Sequence, residues 1–160
     1  MTDTDTSILQ VAAKAILVNH EGKLLIMREA GSSYVEGTNA GKYHCAAGGR
    51  INPSETFAEG LLREVEEETG IKNFEMLYPV HVGDWWPIIK GQKRHIIGVF
   101  IVCKTETTEI HLSEEHDDYR WVSTDEVDQY DILPSDGEAI KSYLRSLNGT
   151  NSILSNANPS

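Results

Sequence analysis

Basic residues are scarce in this chain: 14 Lys and Arg stand against 25 Asp and Glu over 160 residues, a formal charge of −11. Duplex DNA and anionic membranes both reward basic surface, so neither is expected as the main partner. Cysteine is scarcer still. Cys45 and Cys103 lie far apart, with no CxxC spacing and no His or Cys partner at metal-ligand intervals, which excludes a disulfide framework and a cysteine-bound zinc. They read as free thiols in a reducing compartment, with Cys103 filling a core strand. Long apolar runs are absent too: the longest, 96–103, falls well short of the roughly 20 residues a spanning helix needs. The opening MTDTDTSILQ has no basic segment followed by an apolar one, so it does not read as a signal peptide. A soluble, cytoplasmic protein is expected.

What is present suits one folded domain. The apolar fraction is 39%, enough at this length for a core without staples. Residues 8–19 and 23–28 are β-rich around His20-Glu21-Gly22, the pattern of a hairpin. A loop rich in Gly, Ser and Asn fills 30–42, and a short strand at 43–47 leads into Gly48-Gly49. Thr56 and Glu59 have capping-box spacing and open a helix to Thr69, where Gly70 is a natural stop. Strands at 74–82 and 95–104 follow, joined by a loop holding Trp85-Trp86-Pro87. After a strand at 119–122 and a helical turn at 124–129, Ser135 and Glu138 form a second capping-box spacing, opening a helix to Leu147. Strands before, between and after two helices indicate an α+β sandwich rather than an alternating βαβ wind. The expected plan is a flexible start (1–7), one domain (8–147) and a flexible tail (148–160).

The acid excess is concentrated in 49–71 and in Glu114-Glu115-His116-Asp117-Asp118. Helical periodicity puts Phe57, Ala58, Leu61, Leu62 and Val65 on a buried stripe. Glu64, Glu67 and Glu68 share an adjoining face about 100° wide, while Glu59 and Glu66 point away. Like charges at this spacing repel, and only Arg63 flanks them. A divalent cation is the simplest compensation, and oxygen-only ligands suit Mg²⁺ or Mn²⁺. Gly60 lies amid the acids, where it would leave room for a metal shell.

Residues 49–71 (GRINPSETFAEGLLREVEEETGI) resemble the Nudix box, G-x5-E-x7-R-E-U-x-E-E-x-G-U with U apolar, at every fixed position. Gly49, Glu55, Arg63, Glu64, Glu67, Glu68 and Gly70 match the named residues, and Val65 and Ile71 fill the apolar slots. The early hairpin, the paired glycines and the late Tyr119-Arg120-Trp121-Val122 extend the likeness more loosely over 8–147. Ala47 stands where a proline usually precedes the glycines. The resemblance implies an α/β/α sandwich with a mixed central sheet, and a hydrolase that cleaves the diphosphate linkage of a nucleoside diphosphate joined to a group X. It implies Glu64, Glu67 and Glu68 as metal ligands, joined by the carbonyl of Gly48 or Gly49. Arg63 and Glu55 would orient the carboxylates.

The base that completes water activation is expected to be a box glutamate or an acid of 114–118, with Glu115 the first choice. Arg28, Lys93 and Arg94 are candidates to reach a phosphate, and Trp85 or Trp86 to stack on a base. Pro87 follows Ile71 at a spacing that resembles ADP-ribose-cleaving relatives. Tyr34 is a candidate lid residue. The leading expectation is an Mg²⁺-dependent pyrophosphohydrolase of a small-molecule nucleotide, a triphosphate or its damaged form. The alternatives are ADP-ribose or nucleotide-sugar cleavage, and a non-catalytic nucleotide sensor, which intact Glu64, Glu67 and Glu68 disfavour. A homodimer is compatible with the resemblance.

Overall fold

A computed structural model describes residues 7–31 and 39–149; Tyr34 and nearly all of the expected C-terminal tail lie outside the described residues. The chain runs β1 (Ile8–Val18), β2 (Leu24–Glu29), β3 (Tyr43–His44), β4 (Ala47–Arg50), α1 (Phe57–Thr69), β5 (Glu75–Trp85), β6 (Ile88–Ile89), β7 (Gln92–Lys104), β8 (His116–Val122), a 3₁₀ turn (Val127–Gln129) and α2 (Pro134–Leu147). The sheet is mixed. Its main path is β3-β2-β1-β7-β5, with β4 also pairing β1 and β8 pairing β2. β1 runs parallel to β7 along its whole length, from Ile8↔Arg94 to Val18↔Lys104, and antiparallel to β4.

Strand alternation in β1 sends its side chains to two cores. Ala13, Ala15 and Leu17 pack with Leu61 and Val65 of α1. Ile16 packs with Phe100 and with Ala139, Ile140 and Tyr143 of α2. The sheet is therefore sandwiched between the two helices, as expected. Among the described residues no helix is long and apolar enough to cross a membrane. Both cysteines are buried free thiols.

The hairpin between β1 and β2 is closed by Asn19, whose Oδ1 accepts from the backbone N–H of Glu21 and Lys23. Three expectations need correction. Residues 83–94 are not a loop: β5 continues to Trp85, and β6 and β7 turn at Lys90-Gly91, both with positive φ (50° and 77°), the geometry of a tight two-residue hairpin. The segment 116–118 is likewise strand, the start of β8. Finally, α2 has no capping box. It begins at Pro134, a residue whose fixed φ and missing N–H suit the first helical turn, and Asp136 turns inward to accept from the Cys45 N–H at 2.7 Å.

Candidate active site

Helix α1 is set against the sheet by its ends. Thr56 and Glu59 exchange both capping-box bonds, at 2.9 and 3.1 Å. Gly70 closes the helix in the left-handed region (φ 77°) and donates to the Glu66 carbonyl. Between these caps the buried face is Gly60, Leu61, Val65, Glu68 and Thr69. The buried face is rotated from the expected stripe: Leu62 is 40% exposed and Ala58 is exposed, while Glu68 is buried. Gly60 is explained by packing and not by a metal shell, since a Cβ there would press on the Ile51 side chain at 3.1 Å.

The paired glycines let the backbone of β4 approach two carboxylates. Gly48 has φ 149° and lies so close to β1 that a Cβ would overlap the Ala13 carbonyl oxygen. Its N–H donates to Glu68 Oε2 at 2.8 Å. At Gly49 a Cβ would fall 2.6 Å from Glu64 Oε2. Arg63 then ties loop to helix. Nε and Nη2 donate to the two oxygens of Glu55 at 2.6 and 2.9 Å, and Nη1 donates to Glu64 Oε1 at 2.9 Å. Longer contacts reach Glu67 at 3.4 Å and the Arg50 carbonyl at 3.2 Å. The bidentate pair is the strong form of this interaction. Arg63 and the Asn52 N–H hold the Glu55 carboxyl down to about 2, and Arg63 itself is raised above the usual arginine value, first by Glu55.

These groups border a cavity of about 380 Å³ lined by Glu64, Glu67, Glu68, Glu115, His116, Lys14, His44 and the Gly48-Gly49 backbone, among others. Donor atoms of Glu68, Glu115 and His116 lie within 4.8 Å of one another, close enough for one ion. Glu68 is 7% exposed. Burial lifts its carboxyl to about 7, with Glu115 and Glu64 pushing the same way, against the opposing pull of Lys14 and the Gly48 N–H. Burial also raises Glu64, while Arg63 opposes. Carboxylates unwilling to ionise alone, beside backbone carbonyls, form an oxygen-rich donor set that fits a divalent cation. Glu67 differs: its side chain is 57% exposed, at the cavity rim.

The weaker sequence candidates are distributed unevenly. Trp85 lines the cavity and lays its ring over Gly98, where any Cβ would overlap it. Trp86 is 53% exposed, stacks on His95 at 4.6 Å and borders an adjoining groove. Arg28 is engaged by Asp117 at 2.7 Å and Arg94 by Gln10 at 3.0 Å, and neither is among the described residues lining the cavity.

Sequence reasoning missed Lys14, Glu29, His44, His116 and Asp136. His44 Nε2 meets Glu29 Oε2 at 2.8 Å, and Nδ1 lies 3.6 Å from Asp136 Oδ2, too long for a hydrogen bond but close for an ion pair. Burial opposes the imidazolium, yet Asp136 and Glu29 outweigh it and raise His44 to about 9. His116, edge-on to His44, is pushed down to about 4 by burial and by the His44 charge. The His44 pKa lies above its unfolded value of about 6.5. Its stabilising contribution is therefore full below about pH 6.5 and lost as pH rises through about 9. Wild type is expected to be more stable than His44→Gln by roughly 3 kcal/mol at pH 6.5, the scale of a broken buried pair, with the gap shrinking by pH 10. Denaturant titrations of both proteins across that range check it, and a constant gap would contradict a charged His44.

The NUDIX domain model matches residues 8–143. The chain belongs to the Nudix family. It is a hydrolase of phosphorus-containing acid anhydrides. A curated relative, the nucleoside triphosphatase NudI of Klebsiella pneumoniae strain 342, is 27% identical over 126 residues, spanning 72% of this chain and 84% of the relative. The crystal structure of a MutT protein from Methanosarcina mazei Go1 superposes with a TM-score of 0.68 at 28% identity, covering 90% of this chain and 99% of that one. The Nudix domain of Shewanella oneidensis NrtR, solved with ADP-ribose, shares the fold at 15% identity and a TM-score of 0.65, over 89% of this chain and 90% of that one. Within this Nudix domain the box residues are the ones gathered by α1 and the glycine pair.

Proposed function

We propose that the chain is a divalent-metal-dependent pyrophosphohydrolase that cleaves the diphosphate linkage of a nucleoside triphosphate by water attack at phosphorus. The observation that carries this reading is the convergence of Glu64 and Glu68 from α1 with Glu115, which precedes β8, on one cavity beside the Gly48-Gly49 backbone. The nucleoside triphosphatase relatives support a triphosphate as substrate. Glu64, Glu67 and Glu68, with the carbonyl of Gly49 or Gly48, would hold Mg²⁺ or Mn²⁺. Bound there, the cation would neutralise phosphate charge and lower the pKa of the attacking water.

The chain's own part is largely positional, as phosphoryl chemistry requires. Arg63, clamped by Glu55, fixes the Glu64 carboxylate, and the Gly48 N–H fixes one oxygen of Glu68. The Glu115 carboxylate takes the proton that the water releases as its oxygen bonds to phosphorus. The bridging P–O bond breaks and pyrophosphate leaves with the electron pair.

A second reading, cleavage of ADP-ribose or a nucleotide sugar, draws on Trp85 and Pro87 in the cavity wall, since base stacking on an aromatic contributes about 1–3 kcal/mol. A substrate panel separates the two. With Mg²⁺ or Mn²⁺, at least one triphosphate, ordinary or oxidised, is expected to yield monophosphate and pyrophosphate, with no release in EDTA. Preferential cleavage of ADP-ribose or a nucleotide sugar would select the second reading. Silence from the folded protein across triphosphates, ADP-ribose, nucleotide sugars and dinucleoside polyphosphates would overturn both.

A further inference from the structure

Lys14 sits in the middle of β1, paired in register with Gly48 on β4 and Phe100 on β7. Its neighbours on the same face of the strand, Ala12 and Ile16, are both buried apolar residues. A half-buried ammonium at such a position pays a desolvation cost that only good partners offset. Its charge is felt by the carboxylates of Glu68, Glu64 and Asp136, but its hydrogen bonding is weak: Nζ donates to the Gly48 carbonyl oxygen at 3.3 Å, the long end of the range. An ammonium carries three donors, so two remain to face the adjoining space.

What Lys14 faces is a junction. It borders the acid-lined cavity and also a second groove between β5 and the start of α2, walled by Trp85, Trp86, Leu133 and Pro134. Arg50 also lines the first cavity, but among the described residues shared by the two spaces Lys14 is the sole Lys or Arg. The other nearby cations are engaged elsewhere: Arg63 with Glu55, Arg50 and Arg94 with Gln10, and His44 between Glu29 and Asp136. One end of the combined space is carboxylate, suited to a cation and phosphates. The other sets Trp85, Trp86, Leu133 and Pro134 beside the carboxylates of Asp84, Asp136 and Glu138, suited to a base and to sugar hydroxyls.

We propose that Lys14 is a specificity-determining contact for the substrate, its ammonium binding the phosphate that adjoins the nucleoside where the cavity opens into the groove. This rests on the nucleoside triphosphate reading above. The lysine then selects nucleotides from nucleosides, and it holds the phosphorus at which the chain breaks without taking part in bond making. A compact point charge on a flexible stem suits that task.

The test uses Lys14→Met, which keeps the length and loses the charge, and Lys14→Arg, which keeps the charge. Each protein is titrated calorimetrically, with Mg²⁺, against the α,β-methylene analogues of ATP, CTP, GTP and UTP and against the four unphosphorylated nucleosides. For the best analogue, Lys14→Met is expected to weaken binding by about tenfold to a hundredfold, the effect of losing a charge-assisted hydrogen bond. Lys14→Arg should recover most of it, and affinity for nucleosides should not change. In turnover, Lys14→Met should raise KM by a similar factor, with a smaller fall in kcat, and its melting temperature should stay close to that of wild type. Analogue affinity within twofold of wild type, an equal loss of nucleoside affinity, a lower melting temperature as the sole change, or a wild type that binds no analogue would each overturn the inference. Failure of the function reading looks different: wild type would then hydrolyse no triphosphate in the substrate panel. A wild type that hydrolyses triphosphates beside a Lys14→Met of unchanged KM sinks the lysine role alone.

Discussion

Glu68→Gln is expected to fold like wild type and to turn over substrate at least about a hundredfold more slowly, the scale on which loss of one charge-stabilising group acts. Glutamine is nearly isosteric, and its carbonyl oxygen can still accept from the Gly48 N–H, which lies 2.8 Å from Glu68 Oε2. What disappears is the negative charge that a cation would meet. The stability effect runs the opposite way. Burial raises the Glu68 carboxyl from 4.5 to about 7, so its contribution to the cation-free fold is full below 4.5 and lost as pH rises through 7. Near pH 8 in EDTA the glutamine variant should therefore melt no lower than wild type. Added Mg²⁺ should raise the wild-type melting temperature and leave the variant's nearly unmoved, because only a ligand bound to the native state stabilises it. Full turnover in the variant would remove Glu68 from the chemistry.

Gly48→Ala is expected to be the most damaging small substitution in the fold. Its φ of 149° is one that L side chains rarely adopt, and the added Cβ would overlap the Ala13 carbonyl oxygen and lie 2.9 Å from Lys14 Cα. The backbone cannot easily retreat, because β4 is laddered to β1 through Ala13↔Gly49, Lys14↔Gly48 and Ala15↔Ala47. Strained φ alone costs about 1–3 kcal/mol. With the overlap added, a loss above roughly 3 kcal/mol is expected, a fall in melting temperature on the order of 10 °C for a domain of this size. Gly22→Ala is the control: φ is 76° but nothing lies within 4 Å, so only the smaller conformational cost of about 1 kcal/mol applies. Equal stability of the two variants would mean that the close approach of β4 to β1 is not a constraint.

How much of this was legible in the sequence depended on how local each signal was. Helix α1 was readable end to end, because a capping box, a helical period and a terminal glycine act within a few residues of one another. Glu64, Glu67, Glu68, Arg63 and Glu55 came with it. The depth of Glu68 was not readable, since helical periodicity gives relative angles and only the contact with β4 decides which face turns inward. Lys14, Glu29, His44 and Asp136 come from β1, β2, β3 and α2, and only sheet closure brings them together. Lys14 did leave one trace, a lone charge within the apolar run Val11–Val18. The Ser135-Glu138 spacing forms no capping box because the helix starts at Pro134 with Leu133 as its N-cap, which leaves Ser135 inside the first turn. Within 83–94 the turn is confined to Lys90-Gly91, and the flanking residues are strand because they pair with one another across β6 and β7.

The central claim is that Glu64, Glu67 and Glu68 form a cation site on α1, and Mn²⁺ binding tests it without any assumption about substrate. Electron paramagnetic resonance titrations of free Mn²⁺ at pH 8 should show saturable binding to wild type and at least about tenfold weaker binding to Glu68→Gln, as removal of a charged ligand predicts. Equal binding by the two proteins, or no binding by wild type, would contradict it.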